Sequence, residues 1–144
     1  MRKFFLEKVF AFEPDPYVFS FLQECKRVFN LDELELNKSI DHTTFIPSVD
    51  IVICTNVHQW IYKQLGKEKT GIVVGNLISN CKEMFFQTSG TESGGQQVAE
   101  LRSKEDIQNY LYSCGSKEVT YISSSSAHGG LRHLFKVKGD IWNL

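Results

Sequence analysis

Long apolar runs are missing from this chain, and so are the dense clusters of ionisable residues that usually announce a chemistry. No window approaches the ~18 consecutive apolar residues that a membrane-spanning helix requires. The opening MRKFFLEKVFAFEPDP is broken by Glu7, Lys8 and Glu13 before an apolar export signal can form. No membrane partner is expected, and the expected location is cytoplasmic. The cysteines, Cys25, Cys54, Cys81 and Cys114, include no CxxC pair. This excludes a zinc ribbon and a thioredoxin-like motif, and in a reducing compartment leaves free thiols that serve as small core residues. With only 4 histidines and no HExxH grouping, no metal is expected. Neither a GxGxxG turn nor a P-loop lysine occurs, and no cofactor is expected. Excess charge is absent too: 16 basic residues stand against 17 acidic ones, so no long-range field draws a polyanion. Nucleic acid is not an expected partner, although Arg132, Lys136 and Lys138 form a short basic fragment.

What the chain does have is enough apolar surface for a core: 42% hydrophobic residues in 144, with 11 Phe, 5 Tyr and 2 Trp. One domain, 1–144, is the expectation. Residues 4–12 are rich in strand formers and stop at Pro14. Asp15 as cap and Pro16 at N1 then open a helix whose Val18, Phe21, Leu22, Cys25, Val28 and Phe29 share one stripe. A short strand is expected at 34–37 and a β-branched one, VDIVIC, at 49–54. A helix from Val57 should bury Val57, Trp60, Ile61 and Leu65, with Asn56 and Gln59 at capping-box spacing and Gly66 as its stop.

Three apolar runs, 71–79, 82–89 and 95–101, are separated by Ser, Asn and Gly and suggest an antiparallel meander. Ser103 and Asp106 cap a further short helix that ends at Gly115. Strands at 118–122 and 131–138 would flank SSSSAHGG as a hairpin loop, with Gly129 and Gly130 supplying the turn. The pattern as a whole describes an α+β domain, a mostly antiparallel sheet with about three helices packed on it. A doubly wound parallel sheet is the alternative, and it requires the run at 71–101 to be something other than a meander.

Two loops could carry a ligand. In YISSSSAHGGLRH, backbone N–H groups at the glycines, the Ser126 hydroxyl, Arg132 and a titratable His128 would suit a phosphate. The loop SGTESGG adds Glu92, which with His128 would be the minimum for acid–base work if both loops emerge at one end of the sheet. Cys54, at a strand end with His58 one helical turn on, is the only thiol placed to be reactive. His42 and His58 are otherwise expected to be exposed and without partners. The segment VDIVICTN is similar to the strand-ending-in-asparagine element of ADP-ribose-binding macro domains over eight residues. Their glycine-rich phosphate loop does not follow it, and the resemblance is not adopted.

Two functions follow from these residues. The first is a small binding module of inhibitor or immunity-protein type, which masks a partner protein through its loops and the aromatic anchors Trp60, Tyr62 and Trp142; it assigns no catalytic residue. Its binding residues would be Ser126, His128, Gly129, Gly130, Arg132 and Trp60. The second is an enzyme that handles a nucleotide or phosphoester at loops 89–95 and 123–130, with His128 and Glu92 as its acid and base.

Overall fold

The structure is a computed structural model that describes residues 7–89, 98, 100–127 and 130–141. The chain divides into two compact units, residues 1–40 and 41–144.

The first unit is a strand, a helix and a second strand. β1 (Val9–Phe12) and β2 (Leu34–Asn37) pair in parallel, from Val9 opposite Leu34 to Phe12 opposite Asn37. A parallel pair needs a crossover, and α1 (Pro16–Phe29) supplies it. Its start is the expected one: the Asp15 carboxylate accepts from the N–H groups of Tyr17 and Val18, with Pro16 following. Its end is Asn30 in the left-handed region at φ 51°, a conformation Asn tolerates better than most residues. The expected apolar stripe is present, but no residue of α1 is buried, and Phe21 remains 66% exposed.

The second unit is built on a four-stranded sheet in the order β3, β4, β6, β5. β3 (Val49–Thr55) runs parallel to β4 (Cys81–Ser89), whereas β6 (Gly130–Lys138) is antiparallel to both β4 and β5 (Val119–Ala127). Side-chain alternation puts Cys54, Met84, Phe86, Thr88, Phe135 and Val137 on buried positions. The helices are α2 (His58–Ser79) and α3 (Lys104–Ser113), and their buried residues, among them Val73, Val74, Leu77, Ile78, Ile107 and Leu111, complete the core. Ile51 and Ile53, on the alternate positions of β3, are 57% and 74% exposed.

The α+β class and the three helices agree with expectation, but the sheet is mixed rather than mostly antiparallel. The reason is the run at 71–79, which is helix and not strand. Gly66 does interrupt the first helical segment, at φ 77° and ψ 176°, yet the chain resumes helical geometry directly afterwards. Val73, Val74, Leu77 and Ile78 then face the core at i, i+1, i+4 and i+5, a helical spacing hidden in a β-branched composition. With a helix between them, β3 and β4 become a parallel pair. Within 95–101, the described Val98, Glu100 and Leu101 lie in no strand; Leu101 N–H instead closes a turn on the Val98 carbonyl.

The hairpin is also displaced from its expected bounds. β5 runs through all four serines, with Ser123 to Ser126 paired to Leu134 down to Leu131, and the register slips between Tyr121 and Ser123. The serines pair with β6 along one edge, so they are strand and not loop. The chain does reverse direction, because Ala127 lies opposite Gly130.

Candidate functional site

In parallel α/β arrangements, ligands gather at the carboxyl ends of the strands, where loops leave the sheet and backbone groups are unpaired. In the second unit this point is Thr55–Asn56–Val57, at the end of β3. Asn56 adopts the left-handed conformation, φ 61°, which reverses the chain into α2. Its N–H donates to the Gln87 carbonyl at 3.2 Å, and its own carbonyl accepts from Gln59 Nε2 at 2.8 Å. The Asn56 carboxamide oxygen accepts from Arg132 Nη1. Arg132 reaches it from β6, where it lies in register with Ser89 and Ser125. Three separate elements therefore hold one residue. The two side chains that grip Asn56 each keep one buried polar atom without a partner, Gln59 Oε1 and Arg132 Nε.

One turn into α2, the burial pattern departs from expectation. Val57 and Trp60 are 45% and 54% exposed, and the residues turned inward are His58 and Gln59. The expected capping box does not form: Val57 is the N-cap, without a side-chain hydrogen bond, because the Asn56 side chain is held by Arg132. His58 is fully enclosed, neither exposed nor without partners. Its Nδ1 lies 2.9 Å from the Thr88 hydroxyl and its Nε2 3.0 Å from the Tyr110 hydroxyl. A neutral imidazole has one donor and one acceptor nitrogen, and hydroxyls rotate to match, so both contacts are satisfied in either tautomer. Phe86 meets the ring edge-on at 5.1 Å. Burial lowers the His58 pKa to about 4 and raises that of Tyr110, so both are uncharged at neutral pH. The cluster braces α2, β4 and α3 to one another.

Burial likewise pushes Cys54 up to about 12, in keeping with its expected place as a core residue; the alternative of a reactive thiol loses its partner, because His58 is committed to Thr88 and Tyr110. All four cysteines are free, with Cys54 and Cys81 buried as expected. Among the described residues, no group of His, Cys, Asp and Glu could hold a metal, and no helix is long and apolar enough to cross a membrane.

Of the residues singled out in the sequence, Ser126 is exposed on β5 opposite Leu131, Gly130 opens β6, and Trp60 is exposed with Lys63 Nζ 5.8 Å from its ring. Tyr62 is half-buried and hydrogen-bonded to Glu100. Glu92, His128, Gly129 and Trp142 lie outside the described residues. The basic fragment on β6 is paired: Lys136 with Glu83 at 3.3 Å and Lys138 with Glu118 at 3.6 Å. Sequence reasoning named Asn56 only as a cap and a strand end and His58 only as the neighbour of Cys54, and it did not single out Glu13. The available signal was an Asn directly after a β-branched strand, followed by polar residues in the inward turn of a helix.

In the first unit the carboxyl end of β1 presents Glu13. Its N–H donates to the Asn37 carbonyl at 2.9 Å, and Oε1 accepts from Asp15 N–H at 2.8 Å. Asp41, by contrast, is absorbed by its own turn: Oδ1 accepts from the Thr43 N–H and from the Thr43 and Thr44 hydroxyls, which lowers its pKa.

No family model and no curated protein matches this sequence. Solved structures do match. The N-terminal domain of EvdMO1, crystallised with SAH bound, aligns at a TM-score of 0.66 and 10% identity, covering 92% of this chain and 65% of that one. A SAM-dependent methyltransferase from Aquifex aeolicus aligns at 0.58 and 14% identity, covering 92% and 68%. A chain of the Pnkp1/Rnl/Hen1 RNA repair complex aligns at 0.63 and 15% identity, covering 92% and 32%. This chain thus spans about two thirds of the EvdMO1 N-terminal domain and about a third of the chain in the crystal structure of EvdMO1. The fold is one shared with SAM-dependent methyltransferases, which overturns the expectation of a protein-masking inhibitor or immunity-type module.

Proposed function

We propose that this chain binds S-adenosylmethionine (SAM) and forms part of a methyl-transferring enzyme, working in the cytoplasm, where unpaired cysteines persist. The observation that carries this reading is the shared fold together with the Glu13 carboxylate just past the carboxyl end of β1, a strand of a parallel pair.

The residues fit the cofactor's chemistry. SAM contains an adenosine but no phosphate, so the missing P-loop and the near-neutral charge count against phosphate binders and not against this ligand. Glu13 is a half-buried carboxylate just past the end of a parallel strand, the group suited to a ribose diol. A carboxylate offers about four acceptor positions, so the bond from Asp15 N–H leaves capacity for two hydroxyls. When bound, SAM supplies an electrophilic methyl: a nucleophile's lone pair forms the new bond to carbon, the C–S bond breaks, S-adenosylhomocysteine leaves and the nucleophile sheds its proton.

The chain's own residues have separate tasks. Glu13, in the first unit, is the residue assigned to the cofactor's hydroxyls. Within the second unit, taken by itself, the His58–Thr88–Tyr110 brace keeps the Asn56 turn at the end of β3 from moving. His58 is not assigned a proton-transfer role, because both its nitrogens are already engaged inside the core.

Calorimetric titration of S-adenosylhomocysteine into the chain tests the reading. Saturable binding is expected, with Glu13→Ala weakening it by about tenfold, the loss of one charge-assisted hydrogen-bonding group. Absence of binding at millimolar ligand, with the chain folded, overturns it.

A further inference from the structure

We infer that Arg132 is a positioning residue that makes the end of β3 selective for a substrate oxygen over an amino nitrogen. This rests on the methyl-transfer reading above and adds a substrate class to it.

The reasoning starts from valence. A carboxamide is ambidextrous, with an acceptor oxygen and two N–H donors, and an exposed Asn can turn either end to a ligand. A guanidinium has five N–H donors and no acceptor. The contact between Arg132 Nη1 and the Asn56 side chain therefore has one chemical sense: the amide oxygen accepts. That bond fixes the orientation of the carboxamide with its oxygen toward Arg132, and the end turned away from the guanidinium is the N–H donor end. Withdrawal of electron density toward the guanidinium also polarises the amide and strengthens those N–H donors.

The remaining freedom of Asn56 is small. Its backbone N–H and C=O are bonded to Gln87 and Gln59, and its φ of 61° sets the chain direction. Arg132 is itself anchored in β6, the strand between β4 and β5. A pair held from both sides keeps its orientation when a ligand arrives, which is the condition for selectivity. A group facing Asn56 must then accept a hydrogen bond, as a hydroxyl, phenolate or carbonyl oxygen does. An aromatic amino group, whose lone pair is delocalised into the ring, accepts poorly, and its N–H bonds meet donors instead. Sites that hydrogen-bond a substrate group discriminate strongly against analogues that cannot reciprocate, because the site's polar group is left unpaired.

Phenol and aniline are near-isosteric probes of this difference. Their binding is followed through the ¹H–¹⁵N signals of the Asn56 side-chain amide, assigned by their loss in Asn56→Asp, with and without S-adenosylhomocysteine. Phenol is expected to shift those signals saturably, with aniline binding at least about tenfold more weakly. Asn56→Asp removes the N–H donors on which the stated preference rests, and the affinities read on the ligand signals should no longer depend on the probe's acceptor strength. Arg132→Met frees the carboxamide to turn and should bring the two affinities together, whereas Arg132→Lys keeps a cationic donor and should retain the preference. The inference is overturned by equal binding of the two probes to the wild-type chain, by no saturable shift with either, or by a ratio that Arg132→Met leaves unchanged. If S-adenosylhomocysteine fails to bind while the phenol preference persists, the cofactor reading falls and the oxygen selectivity stands. If it binds and no preference exists, this inference alone falls.

Discussion

The β5–β6 hairpin and the β3–α2 junction are both rich in polar side chains, and they use them in opposite ways. In the hairpin, Ser123 to Ser126 occupy exposed positions on the sheet-edge strand β5. At the junction, His58 and Thr88 have no exposed surface, and the Tyr110 hydroxyl completes their hydrogen bonding. An exposed hydroxyl exchanges protein for water at almost no cost, whereas a buried polar group stripped of its partner costs roughly 1–3 kcal/mol. Polar density in a sequence therefore says little about a site; polar burial says much more. The hairpin draws the eye, while the junction carries the constraint.

The sharpest way to break this contrast is His58→Leu. It removes one ring, deprives the buried Thr88 hydroxyl of its His58 partner and leaves the Tyr110 hydroxyl with the Cys114 thiol, so a loss of about 2 kcal/mol is expected, read as a lower urea midpoint at pH 7 with an unchanged slope. A loss below about 0.5 kcal/mol would mean that the brace contributes nothing beyond packing.

The second test uses pH. Burial depresses the His58 pKa from 6.5 to about 4 in the folded chain. Between those values the unfolded chain binds the proton and the folded chain does not. The stabilisation by neutral His58 is therefore fully present above pH 6.5 and is lost as pH falls toward 4, by at most about 3 kcal/mol. Urea midpoints measured across this window should fall in the wild-type chain and fall less steeply in His58→Gln. Identical slopes in the two would remove His58 from the acid sensitivity.

The smallest expected effect comes from the hairpin. Ser124→Ala changes an exposed strand residue and should move stability by less than about 0.5 kcal/mol. A larger loss would show that the serine run is held as firmly as the junction, and the contrast would disappear.

Local signals in the sequence were legible wherever a short-range interaction decides the outcome. Asp15 and Pro16 start α1, Ser103 and Asp106 form a reciprocal capping box on α3, and Gly66 and Gly115 take positive φ. The 71–79 run was not legible, because Ile72, Val73 and Val74 favour a strand by composition while their burial follows a helical repeat. That single misreading turned a parallel pair into a meander, and with it hid the carboxyl end of β3 as a ligand-binding position. The inward turn of α2 was misjudged for a related reason. Trp60 is the more hydrophobic residue, but His58 is the one whose two nitrogens find partners inside.

By itself the sequence determined the caps of α1 and α3, the glycine breaks, the α1 stripe and the reversal near Gly130, because each depends on backbone sterics or on hydrogen bonds a few residues apart. Only the tertiary structure decided that β3 and β4 run parallel, that His58 meets Thr88 and Tyr110, and that Arg132 claims the oxygen of Asn56. These contacts join residues 30 to 76 positions apart. A chain encodes such meetings through the burial each segment gains against the others, which no local window contains.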